Sequence, residues 1–125
     1  MMLNQPYGET AMIRRVNREQ IQTLLQDRAG MTLVEALAEK YYRDGHLPGA
    51  VHLPHEQVRA LAAERLPDKN AFIVTYCANA QCQNSHIAAQ TLSALGYANV
   101  AVYAEGKKDW VEAGLALEKS VDKAA

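Results

Sequence analysis

Apolar residues fall into two rhythms along this chain. Short runs of strand length, rich in β-branched, aliphatic or aromatic residues, recur at Met12–Val16, Met31–Ala36, Val51–Leu53, Ala71–Tyr76 and Val100–Tyr103. Between them the pattern returns at helical spacing: Ile21, Leu24 and Leu25, then Val58, Leu61, Ala62 and Leu66, then Ile87, Ala88, Thr91, Leu92 and Leu95. Asn17 with Gln20 three places on is a capping-box signature, opening a helix through about Gln26. Tyr41 and Tyr42 ride on a short helical turn, Ala38–Arg43, and Pro54 suits the start of a helix from His55 to about Leu66. Gly96 closes the third helix, and Gly106 leads into a short one with Trp110 and Val111 that ends at Gly114. Gly45-His46-Leu47-Pro48-Gly49-Ala50 breaks any helix, and Pro67-Asp68-Lys69-Asn70 is a turn.

Strands alternating with helices at this spacing predict an α/β layer structure with a mainly parallel sheet. Residues 1–11 read as a lead-in, 12–118 as a single domain and 119–125 as a tail, with fraying expected after Leu117. Ligands of such sheets bind beyond the carboxyl ends of the strands. The loops after Glu35, Tyr76 and Tyr103 are therefore expected to lie together.

The loop after Tyr76 carries the candidate chemistry. Cys77 sits where a core strand ends, and eight small or polar uncharged residues lead from it into a helix. The first turn of a helix offers unpaired N–H groups and the positive end of the macrodipole. A thiol held there is expected to shift from a free pKa of about 8.5 into roughly 3.5–7.5, which makes it a nucleophile.

Composition bounds the function classes. The chain has 125 residues, 49% hydrophobic and 22% charged, with a net charge of −1, so one soluble domain with a real core is expected. There is no basic stripe and no aromatic RNA-binding motif, which argues against a nucleic-acid partner. Met1 to Met12 shows no export signal, and no apolar run approaches bilayer length, so the reading is cytoplasmic, without a membrane partner. In a reducing compartment Cys77 and Cys82 are expected as free thiols, and a disulfide between them would close only a tiny loop.

The order of signals resembles the rhodanese-like (sulfurtransferase) family. Leu33-Val34-Glu35 followed by Gly45-His46-Leu47-Pro48-Gly49-Ala50 is similar to that family's early motif, and Val74-Thr75-Tyr76-Cys77 to the strand leading to its catalytic cysteine. Ser85, Ala88, Ala89, Leu92, Leu95, Gly96 and Tyr97 fall at the family's helix positions, and Val100, Gly106, Trp110 and Gly114 at its closing pattern. The resemblance runs from about Met12 to Glu118. It implies a single domain with a central, mainly parallel sheet of about five strands and helices on both faces. It also implies that Cys77 accepts sulfane sulfur as a persulfide from a donor such as thiosulfate or a small persulfide. The sulfur would then pass to a thiol or other nucleophile, with no cofactor. Residues 78–83, namely Ala78, Asn79, Ala80, Gln81, Cys82 and Gln83, would form a cradle of inward N–H groups around the sulfur.

Three departures stand out: a lengthened cysteine loop with no Arg or Lys, Glu35 and Leu37 in place of the usual Asp and Arg, and Glu105-Gly106 in place of a glycine pair. The first puts efficient thiosulfate turnover in question and makes Lys107 the best candidate for meeting an anionic donor; otherwise Lys107 is a solvated helix start. Cys82 reads either as a loop filler or as a resolving thiol. Zinc on Cys77, Cys82 and His86 would need a second short-spaced ligand pair that is missing, so no metal is expected. His46 reads as structural and Trp110 as core. The competing functions are a weakly active binding or regulatory module, and a cysteine phosphatase or arsenate reductase. The latter needs an arginine fork for its oxyanion, which this loop lacks.

Overall fold

The computed structural model describes residues 13–27 and 30–119. Five strands, β1 (Arg14–Arg15), β2 (Met31–Glu35), β3 (Val51–His52), β4 (Phe72–Tyr76) and β5 (Val100–Tyr103), form one sheet in the order β1-β5-β4-β2-β3, every pair parallel. The helices are α1 (Arg18–Gln26), α2 (Glu39–Asp44), α3 (Val58–Arg65), α4 (Asn84–Ala94) and α5 (Gly106–Glu112). A parallel pair cannot be closed by a tight hairpin, so each crossover needs a long connection, which the helices supply.

Period-two alternation assigns the strand residues to two cores. Val34, Ile73, Val100 and Val102 pack with Val58, Ala62, Ala88, Ala89 and Leu92 from α3 and α4 on one face. Leu33, Val74, Tyr76, Ala101 and Tyr103 pack with Ile21 of α1 and Trp110 of α5 on the other. Both faces are covered, and this is why β4 and β5 read as nearly unbroken apolar runs. The expected single α/β domain, with a parallel sheet between helical layers, is what the chain forms.

The capping box at Asn17 is formed: its Oδ1 accepts from Gln20 N and the Gln20 side chain accepts from Asn17 N, both at 2.8 Å. The expected strand at Met12–Val16 shortens to Arg14–Arg15, Met12 lying outside the described residues together with the lead-in and the last residues of the tail. The helix expected from His55 begins as a 3-10 turn, His55–Gln57, before α3. One expectation is corrected outright. Glu118 does not fray: it exchanges two 2.8 Å backbone bonds with His46, and its carboxylate accepts from Gly49 N at 2.9 Å. Those partners come from the Gly-His-Leu-Pro-Gly loop, far away in sequence, so local pattern carried no sign of them.

Candidate active site

The three central strands are in register at their carboxyl ends, with Glu35 beside Tyr76 and Tyr76 beside Tyr103. The loops that follow are therefore neighbours, as expected from the topology. Cys77 is the first residue beyond β4. Alternation turns it away from Tyr76 and toward α4, and it is 1% exposed. Its Sγ lies 3.4 Å from the Cys82 carbonyl oxygen and 3.5 Å from Ser85 Oγ, the thiol donating to each. Ser85 is fully buried in the first turn of α4, which Thr75 pins to the strand by donating its hydroxyl to Ser85 O at 2.8 Å. The sulfur thus faces polar groups at the amino end of an 11-residue helix.

The direction of the thiol's pKa corrects the sequence reading. Burial pushes the Cys77 thiol up, the adjacent Cys82 side chain adds to this, and the Ser85 hydroxyl and N–H only partly oppose it. The helix terminus is present as expected, but desolvation of a thiolate that water hardly reaches outweighs it.

The loop amides divide. Those of Gln81 and Cys82 do not turn to the sulfur: both donate to Asn79 Oδ1 at 3.1 Å, and Cys82 N also reaches Asn79 O. An asparagine two or three residues upstream takes up such amides in a local turn. The carbonyls of Cys77 and Ala78 point at α5, accepting from Lys107 N and Lys108 N at 2.9 Å. The trans peptide geometry then aims the N–H groups of Ala78 and Asn79 the opposite way. Ala80 and Gln83 sit on the same loop, Gln83 just before α4.

This seam depends on Gly106. Its φ is +70°, and a Cβ there would stand 2.5 Å from the Cys77 carbonyl oxygen and 2.9 Å from Asn79 N. Only glycine lets α5 close so tightly on the cysteine loop.

Beneath the loops lies a buried polar cluster. Tyr76 donates its hydroxyl to Glu35 Oε1 at 2.8 Å and accepts from Leu47 N at 3.0 Å. Lys107 Nζ donates to Glu35 Oε2 at 3.1 Å, Tyr41 O at 3.0 Å and Gly45 O at 2.7 Å. All three ammonium protons of Lys107 are thereby engaged, and its side chain joins the loop after β2 to that after β5. Glu35 has no exposure at all, so the carboxylate needs this charge partner. His46 stacks on Tyr42 at 3.9 Å between centroids, with Nδ1 at 2.9 Å from Tyr42 O. Trp110 is buried and donates to Ala116 O at 3.0 Å. Among the described residues, no three His, Cys, Asp or Glu side chains converge as a metal site would need. No helix among them is long and apolar enough to cross a membrane.

A family model described as a rhodanese-like domain matches residues 17–113. The chain belongs to the rhodanese-like domain family. A thiosulfate sulfurtransferase of Escherichia coli, PspE, is 34% identical over 67 residues, which make up 54% of this chain and 62% of that protein. The match therefore spans less than two thirds of that relative. Among solved structures, a Bacillus halodurans protein superposes with a TM-score of 0.79 at 21% identity, covering 88% of this chain and 80% of its own. The rhodanese-like domain of an Anabaena protein gives 0.75 at 23% identity, covering 91% and 85%. At these identities the two structures speak to fold alone.

Within this rhodanese-like domain, Cys77, Ala78, Asn79, Ala80, Gln81, Cys82 and Gln83 are brought together on one loop, and the Lys107 backbone adjoins them while its ammonium does not. Sequence reasoning left Ser85, Gly106 and the Glu35–Tyr76 pair out of the site. Ser85 and Gly106 were visible only as family-pattern positions, and nothing in their neighbours' chemistry marked them as touching the cysteine loop.

Proposed function

We propose that this rhodanese-like domain is a sulfurtransferase in which Cys77 carries sulfane sulfur as a persulfide and hands it to a nucleophilic acceptor. The observation that carries the reading is one thiol at the carboxyl end of the central strand, beneath the amino end of α4. Its sulfur lies 3.5 Å from the buried Ser85 hydroxyl, and the Ser85 hydroxyl and N–H both favour the thiolate over the thiol. Those donors support a thiolate as it forms and as it departs. In the loading step the Cys77 thiolate attacks the donor's terminal sulfur, the donor's S–S bond breaks, and the electron pair leaves with the remainder of the donor. In the second step an acceptor thiolate takes the outer sulfur and Cys77 regains its thiolate.

The loop holds no cation, Lys107 is engaged with Glu35, and Lys108 pairs with Glu112 at 2.8 Å. A doubly charged donor such as thiosulfate finds little to grip it here. A low-molecular-weight persulfide, whose reacting sulfurs carry at most one negative charge, is the better match, and we propose it as the preferred donor class. The acceptor is a thiol, small or protein-borne, and the setting is cytoplasmic.

Intact mass after incubation with glutathione persulfide or thiosulfate tests this. The expected result is one added sulfur atom, faster from the persulfide, and none in Cys77→Ser. Failure of the wild-type protein to take up sulfur from either donor overturns the proposal.

A further inference from the structure

We propose that Cys82 is a relay: sulfane sulfur first carried on Cys77 moves to the Cys82 thiol before it leaves the protein. This rests on Cys77 being the persulfide carrier. Cys77 is 1% exposed, whereas Cys82 is only partly buried, and both are free thiols. An acceptor too large to enter the loop can reach the second and not the first. The two lie on one tightly held turn. The Cys77 sulfur touches the Cys82 carbonyl at 3.4 Å, and Asn79 fixes Cys82 by accepting its N–H through both Oδ1 and the backbone oxygen. The Cys82 side chain is also among the causes that raise the Cys77 pKa.

The step balances without an external oxidant or reductant. The Cys82 thiolate attacks the outer sulfur of the Cys77 persulfide, forming a new S–S bond at Cys82. The bond between Cys77 Sγ and that sulfur breaks, its electron pair stays on Cys77 Sγ, and the proton lost by Cys82 is returned there. Ser85 is placed to stabilise the departing Cys77 thiolate. The alternative attack, on Cys77 Sγ itself, would expel hydrosulfide and leave a disulfide. It requires access to the more enclosed of the two sulfur atoms, since Sγ is flanked by the Cys82 carbonyl and Ser85.

The test uses the full chain, wild type and Cys82→Ser, loaded with glutathione persulfide, trapped with an alkylating agent and fragmented to locate the added sulfur. Transfer rates to a protein-borne thiol, reduced thioredoxin, which is too large to enter the loop, and to cyanide, a small ion, are measured in parallel. Sulfur on both Cys77 and Cys82 in the wild type is expected. The ratio of thioredoxin to cyanide transfer should fall about tenfold or more in Cys82→Ser and likewise in Cys82→Ala. A merely structural role for Cys82 would lower both rates together. Sulfur confined to Cys77 with an unchanged ratio overturns the relay and leaves the proposed function standing. A Cys77–Cys82 disulfide with hydrosulfide release also overturns it. No sulfur on the wild type at all removes both.

Discussion

At the residue scale the decisive contest is over one sulfur atom. Helix terminus, hydroxyl and N–H favour the Cys77 thiolate, burial opposes it, and burial wins. Reaction of Cys77 with a small alkylating agent should therefore lag free cysteine at neutral pH and keep rising above the ordinary thiol range of about 8.5. A hydrogen bond to a charged group contributes about 1.5–3 kcal/mol. Replacing Ser85 by Ala should then move the midpoint of this profile up by about one to two pH units. A profile matching free cysteine, or one untouched by Ser85→Ala, would show that the sulfur does not feel these neighbours.

At the element scale, the cysteine loop is held from two sides. Thr75 and Ser85 tie it to α4, while the first turn of α5 donates to the Cys77 and Ala78 carbonyls. Gly106→Ala would force a Cβ to within 2.5 Å of a backbone oxygen that cannot swing aside, and φ of +70° adds strain. The expected cost is about 1–3 kcal/mol of stability, read by denaturant unfolding, together with loss of most sulfur uptake as α5 is pushed off the loop. Wild-type uptake in Gly106→Ala would mean the seam is not needed for the chemistry. One glycine of the family's usual pair is replaced by Glu105, and the one that remains is the one the close approach requires.

At the scale of the whole molecule, the Glu35–Tyr76–Lys107 cluster ties together the loops after three strands and holds a carboxylate with no exposure. It also sets a pH limit. Burial first, and the Glu35 charge second, push the Tyr76 hydroxyl far above the ordinary tyrosine value of 10.0. Below about 10 the hydroxyl is neutral in both folded and unfolded chains and its contribution is intact. Above that the unfolded chain releases a proton the folded chain retains, so folding stability falls as pH rises. The expected slope approaches about 1.4 kcal/mol per pH unit from this residue above pH 10, with Cys77 adding its own loss from about 8.5. Urea unfolding between pH 7 and 11 checks it. Tyr76→Phe should be less stable at neutral pH, lacking its bonds to Glu35 and Leu47, but should lose stability less steeply in alkali. An equally steep fall would place the titrating group elsewhere.

What the sequence determined alone is whatever depends on periodicity and on near neighbours in the chain. It includes the five strand segments, the helices between them, the capping box at Asn17, and a cysteine at the end of a core strand opening into a helix. These follow from side-chain alternation and local hydrogen bonding, which act over a few residues. Tertiary structure alone decided that Lys107 faces Glu35, that Gly106 presses on the cysteine loop, that Glu118 is pinned to His46, and that the Cys77 thiol is raised and not lowered. Each is a contact or a desolvation made by groups far apart in the chain. Such effects depend on distance in space, which hydrophobic pattern does not encode.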